Sequence, residues 1–179
     1  MADYKIIITG PVGAGKTTAI SVLSDIPPVI TDEAASDMTL DRKQRTTVAM
    51  DYGLMLLDEA ERVHLYGTPG QERFSFMWDI LTEGGLGLVL LIDNSRKEPF
   101  RDLQFFLDAF KKFIHSTAVT IGITRMDEKA TPAIDDYHQH ISSLGWPKLP
   151  ILEVDAREKE DMSLLVQSLL YSLDPTLAS

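Results

Sequence analysis

The sequence predicts an α/β fold: a doubly wound, mostly parallel sheet of about six strands, helices on both faces, and one antiparallel hairpin strand. Three observations predict it. Short apolar runs rich in β-branched residues alternate with stretches of helical spacing, the pattern of a parallel sheet with crossover helices. Gly10-Pro11-Val12-Gly13-Ala14-Gly15-Lys16-Thr17 follows one such run and opens one such helix. That is the context in which G-x-x-x-x-G-K-[ST] cradles phosphate. The stretch Leu86–Asp93 is almost wholly apolar, as in a central strand covered on both faces.

Each element has its own signal. Tyr4–Thr9 is too short and too β-branched for a helix and reads as the first strand. A helix runs over Gly15–Ser24 and is stopped by Pro27-Pro28. Val29–Gln44 is polar and reads as a mobile surface segment, with a weak helical look at Asp32–Asp37 and basic residues Arg42, Lys43 and Arg45 at its end. Thr46–Leu56 reads as extended, Asp58-Glu59 as a turn, and Arg62–Tyr66 alternates as a half-buried strand, so these form the hairpin. Gly67–Gly70 is a loop by composition, and Gln71–Thr82 a short helix with its loop.

Pro99 marks the next helix start, and Leu103, Phe106, Leu107, Phe110 and Ile114 keep helical spacing. Ala118–Thr124 is a buried strand. Thr131 caps and Pro132 opens a helix to Ser143, which Gly145 stops. Ile151–Val154 is the last strand, and Met162, Leu165, Val166, Leu169 and Leu170 form the apolar stripe of a final helix.

With 179 residues, no repeat and no linker-like stretch, the chain reads as a single domain over 1–179. A net charge of −10 argues against nonspecific binding to nucleic acid or to anionic membrane. The absence of cysteine excludes disulfides, thiol catalysis and Cys-based metal sites, and fits a reducing cytoplasm. Met1-Ala2-Asp3 has no signal-peptide character and no glycine to myristoylate, and no cysteine is available for prenylation. The expectation is a cytoplasmic protein with no direct membrane anchor. His64, His115, His138 and His140 have no evident metal partners, and His138 and His140 read as helix-surface residues.

The glycine loop places the chain among the P-loop nucleotide-binding folds. Gly10, Gly13 and Gly15 let the backbone curl and aim its N–H groups, with those of Ala14, Thr17 and Thr18, at phosphate oxygens. The helix behind adds partial positive charge. Lys16 bridges the outer phosphates and Thr17 offers a hydroxyl to Mg²⁺. In doubly wound sheets ligands sit at the carboxyl ends of the strands. That rule brings Thr46-Thr47, Gly67–Arg73, Thr124–Asp127 and Asp155-Ala156-Arg157 to the same rim.

In order and spacing these segments resemble those of the Ras-like small GTPases over nearly the whole chain, most closely the bacterial and archaeal branch that includes gliding-motility and polarity GTPases. Thr46–Gly53 and Gly70–Phe74 are also similar to the vesicle-traffic GTPases. The resemblance implies GTP and GDP as bound nucleotides, Mg²⁺ as cofactor, and GTP hydrolysis to GDP and phosphate. Thr17 and Thr47 are the implied metal ligands, Thr47 joining only when a γ-phosphate is present. Gly70 offers its N–H to that phosphate, Gln71 orients the attacking water, and Lys16 stabilises charge. Thr124 and Arg125 brace and cover the base. Asp127 accepts from two guanine donors, a pattern adenine lacks. Ala156 offers its N–H to guanine O6, flanked by Asp155 and Arg157. Taken alone, a Thr pair starts a strand, Pro-Gly-Gln is a turn and Asp127 is a helix cap; position carries the reading.

Departures from the family pattern qualify it. Gly67 stands where an aspartate usually holds Mg²⁺ through water, which predicts weaker metal binding. Thr124 stands for asparagine and Arg125 for lysine, with less bracing expected from Thr124. Val12 and Pro69 predict slow intrinsic hydrolysis. The longer Thr17–Thr47 segment carries Arg42 and Arg45, either of which would serve as an arginine finger in cis or as part of a solvated basic loop. Phe74, Phe76, Met77 and Trp78 divide between packing and an apolar patch that recruits a regulatory or effector protein in the GTP state. The resemblance implies roadblock or longin-type small domains as partners. Two alternatives stay open: a pseudo-GTPase that holds nucleotide as a scaffold, and a P-loop phosphotransferase using ATP, which would need an arginine-rich lid that the sequence lacks.

Overall fold

The computed structural model describes residues 2–30, 50–57 and 59–174, except the side chains of Arg73 and Phe74. The elements are β1 (Ala2–Thr9), α1 (Lys16–Leu23), β2 (Asp51–Leu56), β3 (Glu61–Gly67), a 3₁₀ turn (Glu72–Met77), α2 (Trp78–Thr82), β4 (Gly87–Asp93), α3 (Pro99–Ala109), α4 (Lys111–Ser116), β5 (Val119–Thr124), α5 (Ile134–Ser143), β6 (Ile151–Glu153) and α6 (Lys159–Leu173). The six strands lie in the order β2-β3-β1-β4-β5-β6. All pairs are parallel except β2 with β3. This is the α/β P-loop fold that the sequence predicts.

Side-chain alternation along the central strands splits the core into two layers. Ile6, Ile8, Val89 and Leu91 face α1 and α6, where they pack on Ile20, Leu23, Leu165 and Leu169. Ile7, Leu88, Leu90 and Ile92 face the other way, onto Trp78, Leu103, Phe106, Leu107 and Tyr137. All seven residues of β4 are buried, which explains why it has no polar alternation. Each buried Leu or Ile contributes about 1.5–3 kcal/mol of apolar transfer.

The outer edge of β2 is taken up by the chain just after α1. Val29 and Tyr52 exchange both backbone hydrogen bonds at 2.9 Å. Asp25 N–H donates to the Leu54 carbonyl at 2.7 Å. Leu54 N–H donates to Ser24 Oγ at 3.1 Å, and Leu56 N–H to the Asp25 carboxylate at 2.8 Å.

Several boundaries differ from the sequence reading. The helix expected from Thr131 starts at Ile134. Asn94 Nδ2 donates to the carbonyls of Lys129 (2.7 Å) and Pro132 (3.1 Å), which holds that segment outside the helix. The Asp136 carboxylate accepts the Ala133 N–H at 2.8 Å and caps the start instead. The helical spacing through Ile114 belongs to two helices, α3 and α4, broken at Phe110. Described pairing in the hairpin's first strand begins at Asp51; residues 31–49, with Thr46, Thr47, Arg42 and Arg45, lie outside the described residues.

Candidate functional site

The phosphate loop is built by close approach. A Cβ on Gly10 would lie 2.2 Å from the Leu91 carbonyl oxygen, so only glycine lets the loop leave β1 against β4. Gly13 (φ 80°) and Gly15 (φ 105°) take the left-handed region. Ala14 N–H closes a turn on the Pro11 carbonyl at 3.1 Å. Lys16 is buried within the loop, and its Nζ donates to the carbonyls of Gly10 and Pro11 at 2.8 Å each. The side chain therefore crosses beneath the turn rather than extending into solvent.

Gly70 sits on this loop. A Cβ there would begin 2.7 Å from Lys16 Nζ and 2.7 Å from the Val12 nitrogen. The approach is held by Thr68, whose N–H donates to the Ile8 carbonyl at 3.0 Å and whose hydroxyl pairs with that of Thr9 at 2.6 Å. Gln71 follows Gly70 just before the 3₁₀ turn, half-buried.

At the opposite end, Ala14, Gly15 and Thr18 join Thr124, Arg125, Asp127, Asp155, Ala156 and Arg157 around a cleft of about 250 Å³. Three strand ends thus meet at one opening. The buried Thr124 hydroxyl lies 3.1 Å from the Ala14 carbonyl oxygen and 3.3 Å from that of Ile92. The Thr124 hydroxyl thus links the end of β5 to the phosphate loop. Arg125 adopts φ 59°, and its Nη1 donates at 2.7 Å to Asp93, which is buried at the end of β4. Asp93 also accepts from the Ser95 N–H and hydroxyl, so the cation is held on a fixed carboxylate.

The last wall is equally fixed. Asp155 N–H donates to the Asp161 carboxylate at 2.8 Å. Asp155 in turn accepts from Arg157 Nε (2.9 Å), Nη2 (2.7 Å) and N–H (2.9 Å). The guanidinium and the backbone N–H of Arg157 hold the Asp155 carboxyl down at about 2, and the same pairing raises the Arg157 pKa. Behind the cleft, buried Tyr137 donates to Asn94 Oδ1 at 2.6 Å. Burial, with help from Asp93 and Asp102, pushes its phenol well above the usual range.

Thr17 donates its hydroxyl hydrogen to the carboxylate of Asp51, the first residue of β2. Sequence reasoning passed over Asp51; its one trace is that Asp51 closes the run Thr47-Val48-Ala49-Met50-Asp51 in a chain that lacks an acid at 67. A hydroxyl beside a carboxylate is a hard-oxygen pair, the donor type that Mg²⁺ selects. Sequence reasoning also missed Asp93 as the anchor of Arg125.

The aromatic cluster resolves into parts. Trp78 is buried against Phe106 and Phe110 (ring centroids 5.3 and 4.9 Å), while Phe76 is 65% exposed and Ile80, one turn further on, 62%. His140 is not a plain surface residue: its ring stacks on Phe100 at 4.5 Å with planes 6° apart. Among the described residues no cluster of three or more His, Cys, Asp or Glu is arranged to hold a metal. No described helix is long and apolar enough to cross a membrane.

The uncharacterized protein MJ1339 of Methanocaldococcus jannaschii is 28% identical to the chain over 121 residues, 68% of each. Human Ras-related protein Rab-12 is 27% identical over 122 residues, which cover 65% of this chain and 45% of Rab-12, so the chain spans less than half of that relative. GTP-binding protein YPT1 of Saccharomyces cerevisiae is 21% identical over 159 residues, 89% of this chain and 73% of YPT1. Residues 28–130 match the model of a family described as "Conserved hypothetical ATP binding protein", a match that starts beyond the phosphate loop and includes Gly70, Gln71 and Asp127. That match takes in more than half of the chain, which therefore belongs to this family.

Proposed function

We propose that the protein is a guanine-nucleotide switch that hydrolyses GTP slowly with Mg²⁺ and presents a partner surface in the GTP state. The observation that carries this reading is the cleft in which Asp127, Ala156 and Thr124 share walls with Ala14, Gly15 and Thr18 of the phosphate loop. A base seated there leaves its phosphates on the loop amides and Lys16. Asp127 presents two acceptors, matched to the N1–H and exocyclic amine of guanine and mismatched to adenine. Selectivity for GTP over the ATP of the family description rests on that carboxylate.

A bound Mg²⁺ would supply positive charge to offset what develops on the phosphates during hydrolysis. Thr17 and Thr47 offer it hydroxyls. Lys16 and the loop amides stabilise the same charge, and Gln71 orients the attacking water. Phe76 and Ile80 lie one turn apart on the segment after Gly70, where they form an apolar surface for a regulatory or effector protein. A roadblock or longin-type domain is the proposed partner class, and the cytoplasm the proposed location. One domain over 1–179 performs these roles.

The nucleotide retained through purification tests the reading. Denaturing the protein should release GDP; ATP or ADP would overturn the role of Asp127. A second reading, a scaffold that holds nucleotide without turnover, draws on Val12, whose branched side chain stands 47% exposed at the mouth of the loop. Multiple-turnover phosphate release no faster than that of Gln71→Ala would favour the scaffold.

A further inference from the structure

Asn94 follows Asp93, the last residue of β4, and is fully buried. A buried primary amide needs partners for two donor hydrogens and an acceptor oxygen. Asn94 has them all. Its Nδ2 donates to the carbonyls of Lys129 at 2.7 Å and Pro132 at 3.1 Å. Its Oδ1 accepts the hydroxyl hydrogen of buried Tyr137 at 2.6 Å. Its backbone N–H donates to the Thr124 carbonyl at 3.0 Å. One residue thus grips the chain just before position 125, and again at 129 and 132.

The loop between those grips carries Asp127. Within it, the N–H groups of Glu128 and Lys129 both donate to the Arg125 carbonyl at 3.2 Å, and the Arg125 guanidinium is tied to Asp93. Asp127 is exposed at the cleft, so its place is set by the backbone that carries it rather than by packing around its side chain. We propose that Asn94, locked by Tyr137, is a positioning residue for base recognition: it holds this loop so that both Asp127 oxygens meet both donors of guanine. The inference rests on the guanine-nucleotide reading given above. The residue type follows from the contacts. One group must bind two carbonyls. An ionised Asp, with acceptors only, would repel them, and Leu would leave both unpaired. By donating to Oδ1, Tyr137 turns the amide so that Nδ2 faces the loop. Phe100, edge-on to the Tyr137 ring at 5.0 Å, supports the phenol from the side.

A plainer role for Asn94 would be to satisfy two loop carbonyls and stabilise the fold, with no bearing on the base. Nucleotide discrimination separates the two roles. Inosine diphosphate keeps the N1–H of guanine and lacks its exocyclic amine, so the ratio of its Kd to that of GDP reads how well Asp127 is placed. Competition titrations against a fluorescent GDP give this ratio for the full chain. The wild type should favour GDP by about tenfold or more, the worth of one charge-assisted hydrogen bond. Tyr137→Phe deletes one hydroxyl, keeps the ring and should lower the ratio by about threefold. Asn94→Ala should bring it to within about threefold of unity, since a misplacement of about 1 Å costs on the order of 100-fold at an oriented site. In an Asp127→Ala background neither substitution should change the ratio further. Urea unfolding checks that each variant folds, and Tyr137→Phe carries the test if Asn94→Ala does not.

Loss of affinity for GDP and inosine diphosphate by one common factor in these variants overturns the proposal. So does a ratio that still falls in the Asp127→Ala background. A wild-type protein that binds the two nucleotides equally well fails the role given to Asp127, and this inference with it.

Discussion

The Thr124 hydroxyl stands 3.1 Å from the carbonyl oxygen of Ala14, 110 residues away in sequence. One bond therefore ties the base end of the cleft to the turn of the phosphate loop. Thr124→Val keeps the shape and removes the donor, leaving a buried carbonyl short of a partner. The expected cost is about 1–3 kcal/mol in urea unfolding. Nucleotide affinity should fall by about 2- to 12-fold if half of that cost is felt by the loop, since 1.4 kcal/mol is a factor of ten. Thr124→Ser should recover both.

Asp127→Asn exchanges one carboxylate acceptor for an amide donor. Binding of GDP should weaken by about tenfold or more, one charge-assisted bond being worth about 1.5–3 kcal/mol. Binding of xanthosine diphosphate, whose C2 carbonyl wants a donor, should strengthen. Competition titrations with the two nucleotides read both changes in one experiment.

Trp78 joins the segment after Gly70 to α3 and its C-terminal end by stacking on Phe106 and on Phe110. Trp78→Ala should destabilise the fold by about 3–5 kcal/mol. The chain has two tryptophans, so Trp146→Phe makes Trp78 the sole indole emitter. Its emission should be that of a buried ring, and denaturation should shift it to the red.

Asp155 carries a pH prediction. Its folded pKa, about 2, lies below the usual carboxylate value because Arg157 binds the charged form. Its contribution is thus fully present above about pH 4, where the unfolded carboxyl is also ionised. It is lost as pH falls from there toward 2. A carbon-detected NMR titration of the Asp155 carboxyl should give a midpoint near 2 in the wild type and near the ordinary aspartate value in Arg157→Ala.

What the sequence makes legible here is what depends on local period and local motif. Leu103, Phe106, Leu107, Phe110 and Ile114 are all buried, as their spacing implies, although the helix breaks among them. The phosphate loop could be read because its glycines answer a local demand, the left-handed backbone at Gly13 (φ 80°) and Gly15 (φ 105°). Asp51 was illegible for a physical reason: its relation to Gly67 exists only in the cross-strand register. Asp93 looks like the polar end of a strand until Arg125 is seen folded onto it. The start of α5 was misplaced because Asn94, a tertiary neighbour, takes the Pro132 carbonyl.

The sealed border of β2 limits how another molecule can attach. An edge strand normally offers a row of free amides and carbonyls as a template for strand addition. Here the amides and carbonyls of Tyr52 and Leu54 and the amide of Leu56 are engaged by Ser24, Asp25 and Val29 of the same chain. Extending the sheet from that side would first require peeling away the 24–29 segment. A partner that docks without unfolding this collar must grip side chains and loops, and self-association by sheet growth is disfavoured at the same border.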